Sequence, residues 1–225
     1  MKKLLFFILC TTGSAVFAQN VQQIAPAPSG PSLRLHLYTG YAFDDKVDSY
    51  YSTTSYFEGT IKGGFEYGGG LEYMLHPAYG IELSYLRLDS KAPITYYDNT
   101  LAGVTSAEFE VASNYVLVGA NRYLVINPKL EPYAGLQLGM SIFNVENPET
   151  GKSGNTTKFS WGLKAGLNIW ASEKVGIKLQ ASLLSAVQSI GGGLYFGTGG
   201  AGAGVSSYST FYQWNLGGGL VFKLR

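Results

Sequence analysis

The 225 residues carry a formal charge of only +1, from 16 basic and 15 acidic side chains, so nothing in the charge balance points to nucleic acid. A single cysteine, Cys10, excludes a disulfide framework, and beyond the first residues no segment approaches a transmembrane helix. Thirty glycines and seventeen tyrosines with only 14% charged residues depart from an ordinary soluble domain, and the length suits one all-β domain.

The chain opens MKKLLFFILCTTGSAVFAQN, with Lys2 and Lys3, an apolar run from Leu4 to Leu9, and small residues at Ala15 and Ala18. That order predicts a secretory signal peptide over 1–18, cleaved after Ala18. The apolar run is too short for a membrane anchor, which needs roughly 18 residues. A lipoprotein signal wants a small residue before its cysteine, and Cys10 follows Leu9. Removing Lys2 and Lys3 leaves 14 basic residues against 15 acidic, a formal charge of −1. Residues 19–31, rich in proline and without apolar period, read as a flexible linker, and 32–225 as the folded domain.

From there apolar residues alternate with small and polar ones at period two, the signature of strands. Leu33, Leu35, Leu37, Tyr41 and Phe43 oppose Arg34, His36, Tyr38 and Gly40. Phe65, Tyr67, Leu71, Tyr73 and Leu75 oppose Glu66, Gly68, Gly70 and Glu72, and Ile81, Leu83 and Tyr85 oppose Gly80, Glu82 and Ser84. Next, Phe109, Val111, Tyr115 and Leu117 oppose Glu110, Ala112 and Asn114, running into a VLVGA stretch that is apolar on both parities. Ala134, Leu136, Leu138 and Ile142 oppose Tyr133, Gly135, Gln137 and Gly139. Phe159, Trp161, Leu163, Ala165, Leu167 and Ile169 oppose Ser160, Gly162, Lys164, Gly166 and Asn168. Val175, Ile177, Leu179, Ala181 and Leu183 oppose Gly176, Lys178, Gln180 and Ser182. Last, Tyr212, Trp214, Leu216, Leu220, Phe222 and Leu224 oppose Gln213, Asn215, Gly217, Gly219 and Lys223.

Eight strands result. Long connections are expected near 44–58, 88–106, 144–157 and 185–210, and short ones at 76–78, 124–131 and 171–174. Alternating long and short connections predict an all-β fold, an eight-stranded antiparallel up-and-down transmembrane β-barrel with both chain ends on the short-turn side. A soluble barrel alternates too, so the medium on each face decides the reading. The apolar parity carries no charge in any segment, and a Lys or Arg facing lipid costs roughly 2 to 4 kcal/mol at mid-depth. The other parity is rich in glycine, which a solvent face gains nothing from and a narrow lumen needs. Aromatics on the apolar parity gather at strand ends: Tyr41, Phe43, Phe65, Tyr67, Phe159, Trp161, Tyr212 and Trp214 at the long-connection side, and Tyr73, Tyr79, Tyr123 and Phe222 at the other. Two such bands are expected at the two membrane interfaces. The expected location is the outer membrane of a Gram-negative bacterium, with membrane lipid as the outer partner.

At EPYAGLQLGMSIF and at the final YQWNLGGGLVFKLR, the chain resembles the small outer-membrane β-barrel family that includes the OmpA transmembrane domain, OmpX, OmpW and the opacity proteins. The resemblance implies a barrel inserted by the outer-membrane assembly machinery through its C-terminal strand, although Phe222 is followed by Lys223, Leu224 and Arg225. It implies little about activity, because that family includes adhesins, structural proteins and small-solute pores.

The expected lumen parity carries Arg34, His36, Glu66, Glu72, Glu82, Glu110, Arg122, Gln137, Lys164, Asn168 and Lys178. Of these, Arg34, Glu72, Glu82, Lys164 and Lys178 fall near one height, which predicts a lumen ion-pair network with Lys164 joined to Glu72 or Glu82. Buried charges left single cost several kcal/mol each, so pairing is demanded. The alternative is a hydrated, conducting lumen, a small-solute pore. GTGGAG at 197–202 has no following helix and is not a dinucleotide site, and Asp44, Asp45 and Asp48 lack EF-hand spacing. No cofactor, metal or catalytic group is expected: His36 points inward and His76 sits in a short turn. The long loops are the expected place for an extracellular ligand.

Overall fold

The computed structural model describes residues 32–52, 55–98, 103–124, 126–191, 193–197, 200–204 and 211–224, so the expected signal peptide and linker lie outside the described residues. The strands in chain order are β1 (Ser32–Ala42), β2 (Asp45–Ser52), β3 (Ser55–Ile61), β4 (Gly64–His76), β5 (Tyr79–Asp98), β6 (Gly103–Tyr123), β7 (Leu130–Asn147), β8 (Lys152–Trp170), β9 (Val175–Gly191), β10 (Gly193–Gly197), β11 (Gly200–Gly204) and β12 (Phe211–Lys223). Eight of them, β1, β4, β5, β6, β7, β8, β9 and β12, form an antiparallel up-and-down ring that β1 and β12 close. Closure leaves no strand edge around the ring, so each backbone N–H and C=O finds a neighbouring strand. Arg34 stands opposite Lys223, which puts both ends of the barrel beside the short turns.

Each short turn is held by a side chain that accepts from the backbone. Asn127 Oδ1 accepts from the amides of Lys129 and Leu130 at 2.8 Å, and Ser172 Oγ accepts from Val175 at 3.1 Å. The opposite end is taller than expected. The stretches 88–106 and 144–157, expected as long loops, are mostly strand: β5 and β6 run for 20 and 21 residues and pair as far as Asp98 and Gly103. β7 and β8 meet at a tight turn in which Gly151 takes φ 65°, a left-handed conformation open to glycine at no steric cost. In the first connection β2 and β3 form a hairpin that adds to β5, with Phe57 opposite Tyr96. In the last, β10 and β11 pair with each other, and β11 packs on β7 and β8.

These tall hairpins escaped the sequence reading because the polarity of a strand inverts partway up. On the lower part of β5, Ile81, Leu83 and Tyr85 face out, 42 to 54% exposed, while Glu82 and Ser84 face in. Two residues higher the sides exchange: Leu86, Leu88, Ala92, Ile94 and Tyr96 are buried inside, and Asp89 and Lys91 are exposed outside. Below the switch the wall is apolar outward, and above it the wall is built like a soluble barrel around its own apolar core.

The switch also corrects β6. Phe109, Val111, Tyr115 and Leu117, expected on the outer face, are buried inside, and Val116 and Val118 are the outward apolar residues. Glu110 and Arg122 are therefore exposed on the outer wall, not in the lumen. Arg122 lies 5.8 Å over the Tyr79 ring. Tyr123, expected in the lower aromatic band, is 1% exposed and points inward. The other bands keep their places: Tyr41, Phe65, Tyr212 and Trp214 are 47 to 63% exposed at one end of the apolar belt, and Tyr73 and Tyr79 are each 47% exposed at the other.

Candidate functional site

The lower lumen is filled by charged side chains from six strands of the ring, β1, β4, β5, β7, β8 and β9. Arg34 on β1 donates to both oxygens of Glu131 on β7, at 2.8 and 3.0 Å, a bidentate pair. Its guanidinium is sandwiched between Tyr123, at 4.9 Å, and Trp170, at 5.4 Å. Asn168 adds a further bond to Glu131 at 2.9 Å. This group lies at the short-turn end of the lumen.

Above it, Lys164 on β8 donates to Glu82 on β5 at 2.5 Å, with both side chains 2% exposed or less. Asn121 Nδ2 spans the two acids, donating to Glu82 at 2.8 Å and to Glu72 at 2.7 Å. Glu72 also accepts from the Tyr123 hydroxyl at 2.7 Å and bonds His36 Nε2 at 3.0 Å. Lys178 on β9 donates to His36 Nδ1 at 3.2 Å and lies 4.3 Å over the Tyr133 ring. With Lys178 donating to Nδ1, the imidazole must carry its proton on Nε2, which is the nitrogen that faces Glu72. Tyr38 donates to Glu82. Three cations, Arg34, Lys164 and Lys178, thus meet three carboxylates, Glu72, Glu82 and Glu131, all nearly excluded from solvent. Oppositely charged groups at this burial stabilise one another only when their remaining hydrogen bonds are also met, and most are here.

Glycine makes the room. A Cβ on Gly70 would fall on the Glu82 carboxylate and one on Gly80 on that of Glu72, while one on Gly166 would lie 2.6 Å from the Tyr133 hydroxyl. The small residues of the lumen parity are the space into which the network folds.

Of the residues expected in the lumen, Arg34, His36, Glu66, Glu72, Glu82, Gln137, Lys164, Asn168 and Lys178 are buried inside, and Glu110 and Arg122 are not. Glu66 stands apart from the network, near Tyr115 in the upper lumen, with Oε2 unpartnered. Sequence reasoning missed Glu131, Asn121, Tyr38, Tyr123 and Tyr133 as members. Glu131 shares parity with Tyr133 and Gly135, so carrying the alternation one step back would have found it. Asn121 and Tyr123 were lost with the face of β6.

His36, Glu72 and Glu82 bring donor atoms within 4.8 Å of one another, a geometry able to hold a metal ion. Those donors are already engaged, Glu82 by Lys164 and Asn121, Glu72 by Asn121 and Tyr123, and His36 Nδ1 by Lys178, so a divalent ion would have to displace a lysine or an amide to enter. Above the network Leu86, Ile94, Phe109, Val111, Tyr115, Phe143, Val145 and Leu184 form one buried apolar cluster.

No protein-family model matches the sequence, and no curated protein matches it. Among solved structures the chain is similar to Neisserial surface protein A, with a TM-score of 0.54 and 14% identity over 87% of this chain and 100% of that one. It is likewise similar to outer membrane protein OprG of Pseudomonas aeruginosa, with a TM-score of 0.54 and 10% identity over 87% of this chain and 97% of that one. At such identities the likeness is one of fold: eight antiparallel strands closed into the small β-barrel that these outer-membrane proteins share.

Proposed function

We propose that this protein is an exported outer-membrane protein whose barrel is a closed scaffold and whose tall hairpins carry binding or adhesion outside the cell. The signal peptide would deliver residues 19–225 to the periplasm, and the short turns would face that compartment. The observation that carries the reading is the cross-lumen bond of Lys164 to Glu82, tied by Asn121 and Tyr38 and capped by the apolar cluster. A lumen so filled offers no path for solutes, which leaves the outward hairpins for contact with an extracellular ligand. Both histidines serve the scaffold, His36 in the network and His76 accepting from the Ala78 amide at 3.3 Å, and the reading includes no catalysis.

Planar-bilayer recording of the purified protein and of Lys164→Ala tests the closed lumen: the unmutated protein should show no large steady channel, and such channels would overturn the reading. Heat-modifiable gel mobility with envelope fractionation tests the location. The second reading, a small-solute pore, draws on the upper lumen, where Glu66 Oε2 and both amide atoms of Asn215 are buried without a protein partner. The same recording separates the two.

A further inference from the structure

β1 closes the barrel, pairing with β12 on one side and β4 on the other, and in its middle both ladders are glycine. Tyr38, Thr39 and Gly40 stand opposite Gly219, Gly218 and Gly217, while His36, Leu37 and Tyr38 stand opposite Gly70, Gly69 and Gly68. Register is ordinarily fixed by cross-strand side-chain pairs and by the apolar pattern, and glycine-rich strands specify it weakly. The apolar pattern of β1 forbids a slip of one residue, which would turn Leu35 and Leu37 inward. It does not forbid a slip of two, which keeps every apolar side chain outside and moves the strand by about 7 Å.

The native register differs from the slipped ones in the lumen. Arg34, His36 and Tyr38 are successive inward side chains of β1, and each is bonded to another strand: Arg34 to Glu131, His36 to Glu72 and Lys178, Tyr38 to Glu82. Displacement by about 7 Å would break every one of these bonds, since none reaches much past 3 Å. Glu131 would then lose its cation inside the barrel, and Glu72 and Glu82 would each lose a donor from β1. We infer that Arg34, His36 and Tyr38 are the register code of the closing strand, supplying through the lumen the specification that the glycine ladders lack. The inference holds for a closed or a conducting barrel, so it stands apart from the functional reading above.

Disulfide scanning tests it, because the described strands contain no cysteine and the sequence has only Cys10. The outward pairs Leu35/Phe222 and Leu37/Leu220 report the native register, and Leu35/Leu220 and Leu37/Phe222 report slips of two in either direction. Direct partners sit about 5.5 Å apart at Cα, within disulfide range, and a two-residue offset takes them beyond about 7 Å. In the otherwise native sequence the cysteines should cross-link in the native pairs. In Arg34→Gln/His36→Gln/Tyr38→Phe the slipped pairs should rise about tenfold relative to them. A triple variant that assembles and cross-links only in the native pairs overturns the inference. Should it fail to assemble, Arg34→Glu decides, since it sets two carboxylates together in the native register. Loss of native cross-links in Arg34→Glu and their return in Arg34→Glu/Glu131→Arg support the code. Undiminished native cross-links in the single variant, or a swap that does not restore them, overturn it.

Discussion

Replacing Lys164 by methionine keeps most of the side-chain volume and removes the ammonium that stands 2.5 Å from Glu82 Oε2, with both side chains 2% exposed or less. Glu82 would retain its bonds from Asn121, at 2.8 Å, and from Tyr38. Breaking a buried ion pair from one side costs about 3 to 5 kcal/mol, and the two surviving donors set the expectation at the lower end, about 3 kcal/mol. That is a loss of about two orders of magnitude in the folding equilibrium. The double variant Lys164→Met/Glu82→Gln removes both charges and keeps the amide and hydroxyl partners, so it should fall within about 1 kcal/mol of the native protein. Urea titration of the barrel in lipid vesicles, followed by tryptophan emission and heat-modifiable mobility, measures both. A single variant within about 0.5 kcal/mol of the native protein, or a double variant as unstable as the single, would refute the coupling from which a closed lumen is proposed.

The remaining expectations concern smaller parts of the barrel. Gly70→Val should cost about 1 to 3 kcal/mol by driving a side chain onto the Glu82 carboxylate, whereas Gly69→Ala, whose Cβ meets only His36 O at 3.2 Å and Leu37 Cδ2 at 3.9 Å, should cost less in the same titration. Tyr123→Phe removes a hydroxyl bonded to Glu72 and should destabilise by about 1.5 to 3 kcal/mol, again by urea. Asp44, in the first tall connection, accepts from the Gly63 amide at 2.8 Å and from Lys62, and these donors hold its carboxyl below the ordinary value of 3.8. A depressed folded value means that its stabilisation is present above the unfolded value and is lost as pH falls through the folded one; an NMR titration of Asp44 with a midpoint at or above 3.8 would contradict it. Trp214 is 60% exposed on the apolar belt and Trp170 is 6% exposed inside. Brominated acyl chains should therefore quench native emission strongly, and Trp214→Phe should remove much of the quenchable part.

The alternation of β1, β4, β7, β8, β9 and β12 was legible because each of those strands, over the stretch read, touches one medium on each side. β6 was not legible. Val116 and Val118 face outward on the lower wall, and Leu117 faces an apolar part of the lumen, so both parities are apolar and the phase is lost where it had to be carried upward. Higher on the same strand, the apolar parity that marks the outside below marks the inside, and Glu110 changes sides for that reason alone. The upper halves of β5, β7 and β8 read as loops because Arg87, Asp89, Lys91, Glu146 and Ser153 look like connection residues unless Leu88, Ile94 and Val145 are counted against them. The chemistry of the lumen was legible by type, and by partner only for Lys164, which was narrowed to two acids and meets Glu82. Which acid meets which base depends on shear and on how far each side chain reaches, and a one-dimensional pattern carries neither.

The exchange of sides partway along β5 has a thermodynamic consequence. Above it the apolar side chains leave water on folding, so that part should show the large heat-capacity change and the cold weakening of an ordinary soluble core. Below it the apolar side chains leave water for hydrocarbon instead, and they can do so only as the ring closes, because unpaired strands cannot leave their backbone groups unsatisfied in lipid. One continuous set of strands therefore hides its apolar surface in two media, the tall end in its own core and the belt in the membrane around it.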